Sequence, residues 1–437
     1  MPRQVHLKAL GRDPQIARCI AGSFLLRAAA SGAVALISFF IADLERSGAH
    51  LRGSMIISAS TILFFGAEII GAMGFGALAD RHGERRYMRL GPLFGGAAAL
   101  AMGLGASVLG LLFARALQGL STAAAIPASL AVLSRQSGDD EQRRGRVMSL
   151  FEIAAIGGMA AGLVSAGEIW DAIGAKAFYL MLVIYALSLG LLWSVGRAHG
   201  RESGEAARSH GVEFLRSPKA LRLVPAWVAV NAVLGVWLTH LLHQLKKVDD
   251  PQQFLVGGFS GAQISRYGAI TLVLFVAGIG LWGYLMGRLG SLRVMAIALA
   301  GLVALCPSLF LLNHVPLDNQ GAIASWIVAS AAALVVASGF TPAALAYLSK
   351  IAEEHSSQRG TIMGLYSVLL GVGQAIGGFL GGFAAEWRGV DGLIALSVFF
   401  VAAAIVAVAA LIRADRVLGP APLAGPVAAA TGRVRVP

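Results

Sequence analysis

Twelve apolar runs, each close to the length that crosses a lipid bilayer, follow one another along this chain. They cover residues 19–41, 54–78, 90–110, 111–134, 146–168, 175–196, 223–245, 267–287, 294–313, 321–349, 361–385 and 392–412. A spanning helix needs about 20 apolar residues, and the polar segments between the runs are mostly too short to fold separately. A water-soluble core fails on composition. Hydrophobic residues make up 57% of the chain and charged ones 13%, against roughly 45–50% and about 25% in a soluble domain. Surface-to-volume scaling cannot hide that much apolar side chain, and the mean hydropathy is +0.73. The expected fold is an all-α membrane protein with the lipid bilayer as its solvent.

The net charge of +12 is explained by where the basic residues fall. Of the 35 Lys and Arg, 26 lie on the side of the N-terminus and 7 on the other, with residues at the edge of a run counted in its loop. The remaining two, Arg27 and Arg115, lie inside runs. Such asymmetry orients spans with the basic side in the cytoplasm. The expectation is a multi-pass protein of the cell (inner) membrane with both termini cytoplasmic, acting as a monomer and without a nucleic-acid partner. The basic start (Arg3, Lys8, Arg12, Arg18) precedes a run too long for a signal peptide. It reads as the anchor of the first span. Cys19 and Cys306 are isolated in distant runs, so neither a disulfide framework nor a metal cluster is indicated.

The chain repeats itself. Arg144-Gly145-x-x-Met148-x-Leu150-Phe151 returns 215 residues later as Arg359-Gly360-x-x-Met363-x-Leu365-Tyr366, and Gly158 and Gly162 match Gly373 and Gly377 at the same offset. The stretch from Pro127 to Arg135 mirrors that from Pro342 to Lys350. Internal duplication marks secondary transporters, whose substrate site lies near the midplane between the halves. The expected division is an N-terminal bundle (1–196), a polar cytoplasmic linker (197–222), a C-terminal bundle (223–413) and a disordered cytoplasmic tail (414–437). Gly158, Gly162, Gly373, Gly377 and Gly381 put small residues on one helical face, where helices approach closely.

A charged turn also recurs. Gly76-Ala-Leu-Ala-Asp80-Arg81-His82-Gly83-Glu84-Arg85-Arg86 is echoed by Gly283-Tyr-Leu-Met-Gly287-Arg288-Leu-Gly290-Ser-Leu-Arg293, with Gly287 in the place of Asp80. The first copy resembles the loop between the second and third helices of major facilitator superfamily transporters, Gly-x-x-x-Asp-Arg-x-Gly-x-Arg-Arg, at every fixed position. The resemblance implies twelve transmembrane helices in two pseudo-symmetric six-helix bundles. It also implies a conformational latch made by Gly76, Asp80, Arg81, Gly83, Arg85 and Arg86, which helps to hold the outward-facing state. The arginines can pair with Asp139, Asp140 and Glu141. The second copy would make a weaker latch.

The run Leu111-Leu-Phe-Ala-Arg115-Ala-Leu-Gln118-Gly119 is similar to the family's fourth-helix motif, typical of proton-linked members. An arginine in hydrocarbon costs at least a few kcal/mol unless it faces the bundle interior and has a partner. Glu68, Glu152 or a substrate carboxylate could serve, or the side chain could snorkel to the interface. Glu68 and Glu152 are the acids within runs. A carboxyl group removed from water favours its protonated form, so either can bind and release a proton as the site alternates; a structural ion pair, such as Glu68 with Arg27, is the alternative. Arg27, Arg115, Asn231 and Gln374 are the candidate substrate contacts. His240 and His243, three apart near the outer end of the seventh run, make a weak metal case without a third ligand and read as a polar lining of the outer mouth.

No Gly-x-x-x-x-Gly-Lys-Ser/Thr signature appears, so no nucleotide cofactor is indicated. Neither a nucleophile–base cluster nor a metal set points to an enzyme. The expected activity is proton-coupled secondary active transport of a small molecule by alternating access. Sparse polar residues favour efflux of an amphipathic, drug-like compound; two intramembrane arginines favour uptake of an organic anion or metabolite. Residues Gly157-Gly158-Met-Ala-Ala-Gly162 lack the proline usual in the fifth helix of drug antiporters, which weighs against antiport. A membrane sensor that kept the fold but lost transport is the reading from another class.

Overall fold

The computed structural model describes residues 13–104, 107–137, 141–196, 218–247, 250, 252–353 and 359–418. The expected linker and tail lie largely outside these. Among the described residues the regular structure is helical, apart from an isolated bridge between Asp250 and Gln253. The first half holds α1 (Pro14–Arg46), α2 (Gly53–His82), α3 (Glu84–Leu104), α4 (Val108–Gln136), α5 (Glu141–Ile173) and α6 (Ala177–Trp193). The second holds α7 (Pro218–Lys246), α8 (Gly261–Leu289), α9 (Ser291–Asn313), α10 (Gln320–Ala337), α11 (Phe340–Glu353) and α12 (Arg359–Leu418).

Among the described residues, nine stretches are long and apolar enough to cross a membrane. Two of them, Arg146–Trp193 and Val368–Asp415, each contain two helical passes. The more polar α3 completes twelve. α12 turns back at Arg388 (φ −147°) and Gly389 (φ +56°), which divide it into two limbs. The tenth run is interrupted between α10 and α11, where Gly339 packs on the Trp282 ring and the Trp282 indole donates to the Val335 carbonyl at 2.9 Å. Helices overrun several of the apolar runs by a few residues, because polar ends stay helical beyond the hydrocarbon. The boundary expected between residues 110 and 111 falls elsewhere: Ser107 caps α4 by accepting from Gly110 N at 3.1 Å, so that helix starts earlier.

Two bundles result. In the first, α1 packs on α5 and α6, α2 on α4, and α3 on α4 and α6; in the second, α7 packs on α12, and α9 on α10, α11 and α12. One core is built wholly from residues between Leu223 and Leu411, and another between Leu26 and Tyr185 with Ile264 added. Large apolar side chains such as Leu109, Val273, Val328 and Val406 stand exposed on outer helix faces, which suits lipid. The bundles meet along α1–α7, α2–α12 and α5–α8.

Helices α2 and α8 end alike. Gly83 (φ +88°) and Gly290 (φ +79°) donate their N–H to the carbonyls of Ala79 and Met286. A left-handed backbone costs an L-residue roughly 1–2 kcal/mol. Gly83→Ala is therefore expected to lower the thermal unfolding midpoint measurably although no atom lies within 4 Å of its Cβ position. An unchanged midpoint in a thermal-stability assay in detergent would count against strain at this turn.

Candidate functional site in the interior of the first bundle

Four helices carry charged and polar groups to one place inside the first bundle. Arg27 comes from α1, Glu68 from α2, Arg115 and Gln118 from α4, and Tyr185 from α6. Gly119 makes this possible by letting α4 lie directly on α2, against the Phe64 carbonyl and the Glu68 backbone. Arg115 is 4% exposed and donates to Gln118 Oε1 at 2.6 Å. Its guanidinium sits 4.5 Å from the centre of the Phe64 ring, one turn before Glu68. It lies in the bundle interior and does not snorkel to the interface. Glu68 is half-buried in the electrostatic field of both Arg27 and Arg115. Tyr185, in the field of the same two arginines, is buried with its ring against Gly95 of α3. Arg27 Nε, Gln118 Nε2 and the Tyr185 hydroxyl have no hydrogen-bond partner among the described residues. The cluster thus puts one carboxyl group in the field of two guanidinium groups and has donors to spare.

The other expected site residues lie elsewhere. Glu152 is exposed on α5, one residue beyond the buried Phe151. Asn231 is buried on α7, where its amide donates to the Trp227 carbonyl at 2.9 Å and Gly373 of α12 lies against its Cβ. Gln374 is half-buried, and its backbone rests on Gly235 of α7. Gly158 meets Phe24 O and the Cβ of Arg27, just as Gly373 meets Val228 O and the Cβ of Asn231. Arg27 and Asn231 therefore occupy equivalent positions, 204 residues apart, on the first helix of each bundle. Gly162 and Gly377 continue these contacts, against Ala28 and Ala232.

At the end where α2 meets α3, the side chains of Asp80, Asp139, Asp140 and Glu141 lie outside the described residues. Arg81 and Arg86 are exposed. Arg85 donates to the Gly196 carbonyl. Arg18 and Arg89 donate to the carbonyls of Ser194 at 3.4 Å and Trp193 at 3.1 Å, so three arginines gather on the carbonyl-rich end of α6. Cations are favoured there by the helix dipole. Glu84 forms an ion pair with Arg135, and Arg143 with Asp13 at 3.1 Å. The C-terminal ends of helices are weakly marked in sequence, and the role of Arg85 and Arg89 could not be read from it.

His240 and His243 are fully buried between the bundles and do not line an open mouth. His240 Nε2 donates to Gly378 O at 2.8 Å, and His243 Nε2 lies 3.0 Å from Glu45 Oε2 of α1. Spacing along α7 placed both on one face but could not say that the opposite bundle covers it. Among the described residues no group of three metal-ligating side chains forms. A crevice between α9 and the second limb of α12 is apolar throughout, with Cys306, Phe310 and Val398 in its lining. It offers nothing to orient a polar substrate.

Membrane-length helices in two related bundles, with Arg27, Glu68 and Arg115 held in the interior of the first, define a multi-pass membrane protein. The chain belongs to the Major Facilitator Superfamily, whose model matches residues 19–257 and 256–432. It is 28% identical over 318 residues to the inner membrane transport protein YajR of Escherichia coli (strain K12), a match covering 71% of this chain and 64% of that protein. It is 35% identical over 112 residues to the puromycin resistance protein pur8 of Streptomyces alboniger, covering 26% and 21% respectively. The chain thus matches less than two thirds of the length of either relative. Among solved structures, the nucleoside transporter NupG has a TM-score of 0.70 at 12% identity, covering 91% of this chain and 98% of that one. The peptide transporter POT in complex with sulfate has a TM-score of 0.67 at 17% identity, covering 92% and 95%. At these identities the structural likeness concerns the fold.

Proposed function

We propose that this protein is a proton-coupled secondary carrier that works by alternating access and exports an amphipathic, drug-like compound. The observation that carries this reading is Glu68, half-buried in the interior of the first bundle and in the electrostatic field of Arg27 and Arg115. A carboxylate held by guanidinium groups can exchange that partnership for a proton, and a substrate can displace one of the arginines. The direction is supported by the relative whose name records puromycin resistance. In this reading the bundles are residues 1–196 and 223–413, joined by a cytoplasmic linker at 197–222, with both termini cytoplasmic.

A second reading, uptake of an organic anion, is favoured by the surplus donors around Glu68: Arg27 Nε, Gln118 Nε2 and the Tyr185 hydroxyl. Proteoliposomes loaded with a pH-sensitive dye separate the two. Adding cationic amphiphiles is expected to drive proton movement in exchange, whereas organic carboxylates are expected to leave the dye unchanged. The opposite pattern would replace export by anion uptake. Binding of either class without proton movement would support a sensor that kept the fold.

A further inference from the structure

The polar contacts between the bundles form a matched pair. The two copies of the charged turn, at Gly76 and Gly283, relate α2 to α8 by 207 residues, and Gly158 and Gly373 relate α5 to the first limb of α12 by 215. At one joint, Gly167 of α5 lies so close to α8 that a Cβ there would overlap Gly261 O and crowd Ser265 Oγ. One turn further, Asp171 accepts from the backbone N–H groups of Gly261 at 3.0 Å and Ala262 at 2.7 Å, and from Lys246 of α7 at 3.3 Å. At the other joint, Gly382 lies equally close to Ser54 O and Ser58 Oγ of α2, and Glu386 accepts from the N–H of Ser54 at 3.1 Å. Gly382 and Glu386 are Gly167 and Asp171 advanced by 215; Gly261 and Ser265 are Ser54 and Ser58 advanced by 207.

Each joint is therefore the same device. A glycine, followed four residues later by a carboxylate, grips the first turn of a helix from the opposite bundle. The first N–H groups of a helix have no intrahelical acceptor, and the helix dipole draws an anion to them. Water can replace the carboxylate there, so the grip is reversible. The smooth glycine faces let the helices part without interlocking side chains. Both joints lie at the end opposite the Gly76–Arg86 turn, and among the described residues the hydrogen bonds between the bundles gather at that end and in the adjoining His240–Ser58 seam.

We propose that Asp171 and Glu386 are the paired closing residues of this end: they hold the first turns of α8 and α2 while it is shut and release them when it opens. This rests on the alternating-access reading. It also gives α2 and α8 distinct roles, because the same two helices carry the charged turns at their far ends. Each is about 45 Å long and can transmit opening at one end as closure at the other.

The test replaces both carboxylates, Asp171→Asn with Glu386→Gln, after Cys19 and Cys306 are changed to Ser. Spin labels are placed at His50→Cys and Asp318→Cys for this end, and at His82→Cys and Leu221→Cys for the other; all four side chains are exposed or terminal. Pulsed dipolar spectroscopy is expected to show the long-distance population between 50 and 318 rising by about tenfold while the 82–221 distances shorten. Unchanged distributions at both pairs in a folded variant overturn the proposal. Should the double variant fail to fold, Gly167→Leu, which must push the first turn of α8 away, is expected to give the same shift, and its absence is equally fatal. Distances are read without substrate. A shift without proton movement upholds the joints and sinks the coupling reading; proton movement with unchanged distances does the reverse.

Discussion

Replacing Glu68 with Gln is expected to abolish transport driven by a pH gradient while leaving the protein folded. Gln has nearly the same shape but cannot carry or release the proton, and it leaves Arg27 and Arg115 without their shared carboxylate. A carboxamide has no proton to load and unload, and about 1.4 kcal/mol lost from the coupling is already tenfold in an equilibrium. The fall in proton-driven flux should thus be at least about tenfold. Flux that needs no proton, such as substrate exchange between two equal pools, should survive better than flux driven uphill. Glu152→Gln is the comparison, because that side chain is exposed on α5 and makes no hydrogen bond among the described residues. Proton movement and substrate uptake measured together in proteoliposomes decide the matter. If both variants keep the wild-type dependence on pH, proton coupling through either acid is wrong.

The second large effect is on assembly. Gly162→Val and Gly377→Val are each expected to lower the thermal unfolding midpoint, by about 2–7 °C for a bundle of about 200 residues, from an overpacking cost of roughly 1–3 kcal/mol. At Gly162 a Cβ would overlap the Ala28 carbonyl and lie 2.8 Å from Gly32 N; at Gly377 it would overlap the Ala232 carbonyl. The obstacles are backbone atoms, which cannot swing aside as a side-chain tip could. The Gly162 change would also strain the bond from Ser31 Oγ to the Met159 carbonyl, 2.9 Å, that ties α1 to α5. Gly66→Ala and Gly280→Ala serve as controls, since nothing lies within 4 Å of either Cβ position. Their midpoints should hold or rise, because Ala is favoured over Gly in a helix by about 1 kcal/mol. A drop for the controls as large as for the valines would mean that glycine matters here for something other than close packing. Size-exclusion profiles after heating report both.

Much of the candidate site could be read before any coordinates. Arg27, Glu68 and Arg115 stand out because an ionised side chain in an apolar run must face protein and find a partner. The structure gathers these three. Tyr185 escaped notice because a tyrosine in an apolar run gives no cost signal: its ring is at home in lipid, and only Gly95 and the two arginines around it reveal a role. Glu152 carried the same signal as Glu68, yet its side chain is exposed, since spacing along one helix cannot say which face meets the next. His240 and His243 share one face, as their spacing requires, but the opposite bundle covers that face, which spacing cannot show. The Gly167–Asp171 and Gly382–Glu386 pairs were in the repeat all along, at the offset of 215. Nothing in a four-residue match says that each grips a helix from the opposite bundle.

The chain by itself determined that this protein is a multi-pass membrane protein and that its two halves share one plan. Hydrophobic length and repeated sequence are local, additive properties, so they survive without knowledge of contacts. Only the tertiary structure decided where the described polar contacts between the bundles gather. That choice depends on which faces of α1, α2 and α5 meet α7, α8 and α12, and on a few carboxylates reaching backbone N–H groups some 90 to more than 300 residues away in sequence. Such pairings depend on the mutual placement of helices, and the apolar pattern of each helix is compatible with more than one placement.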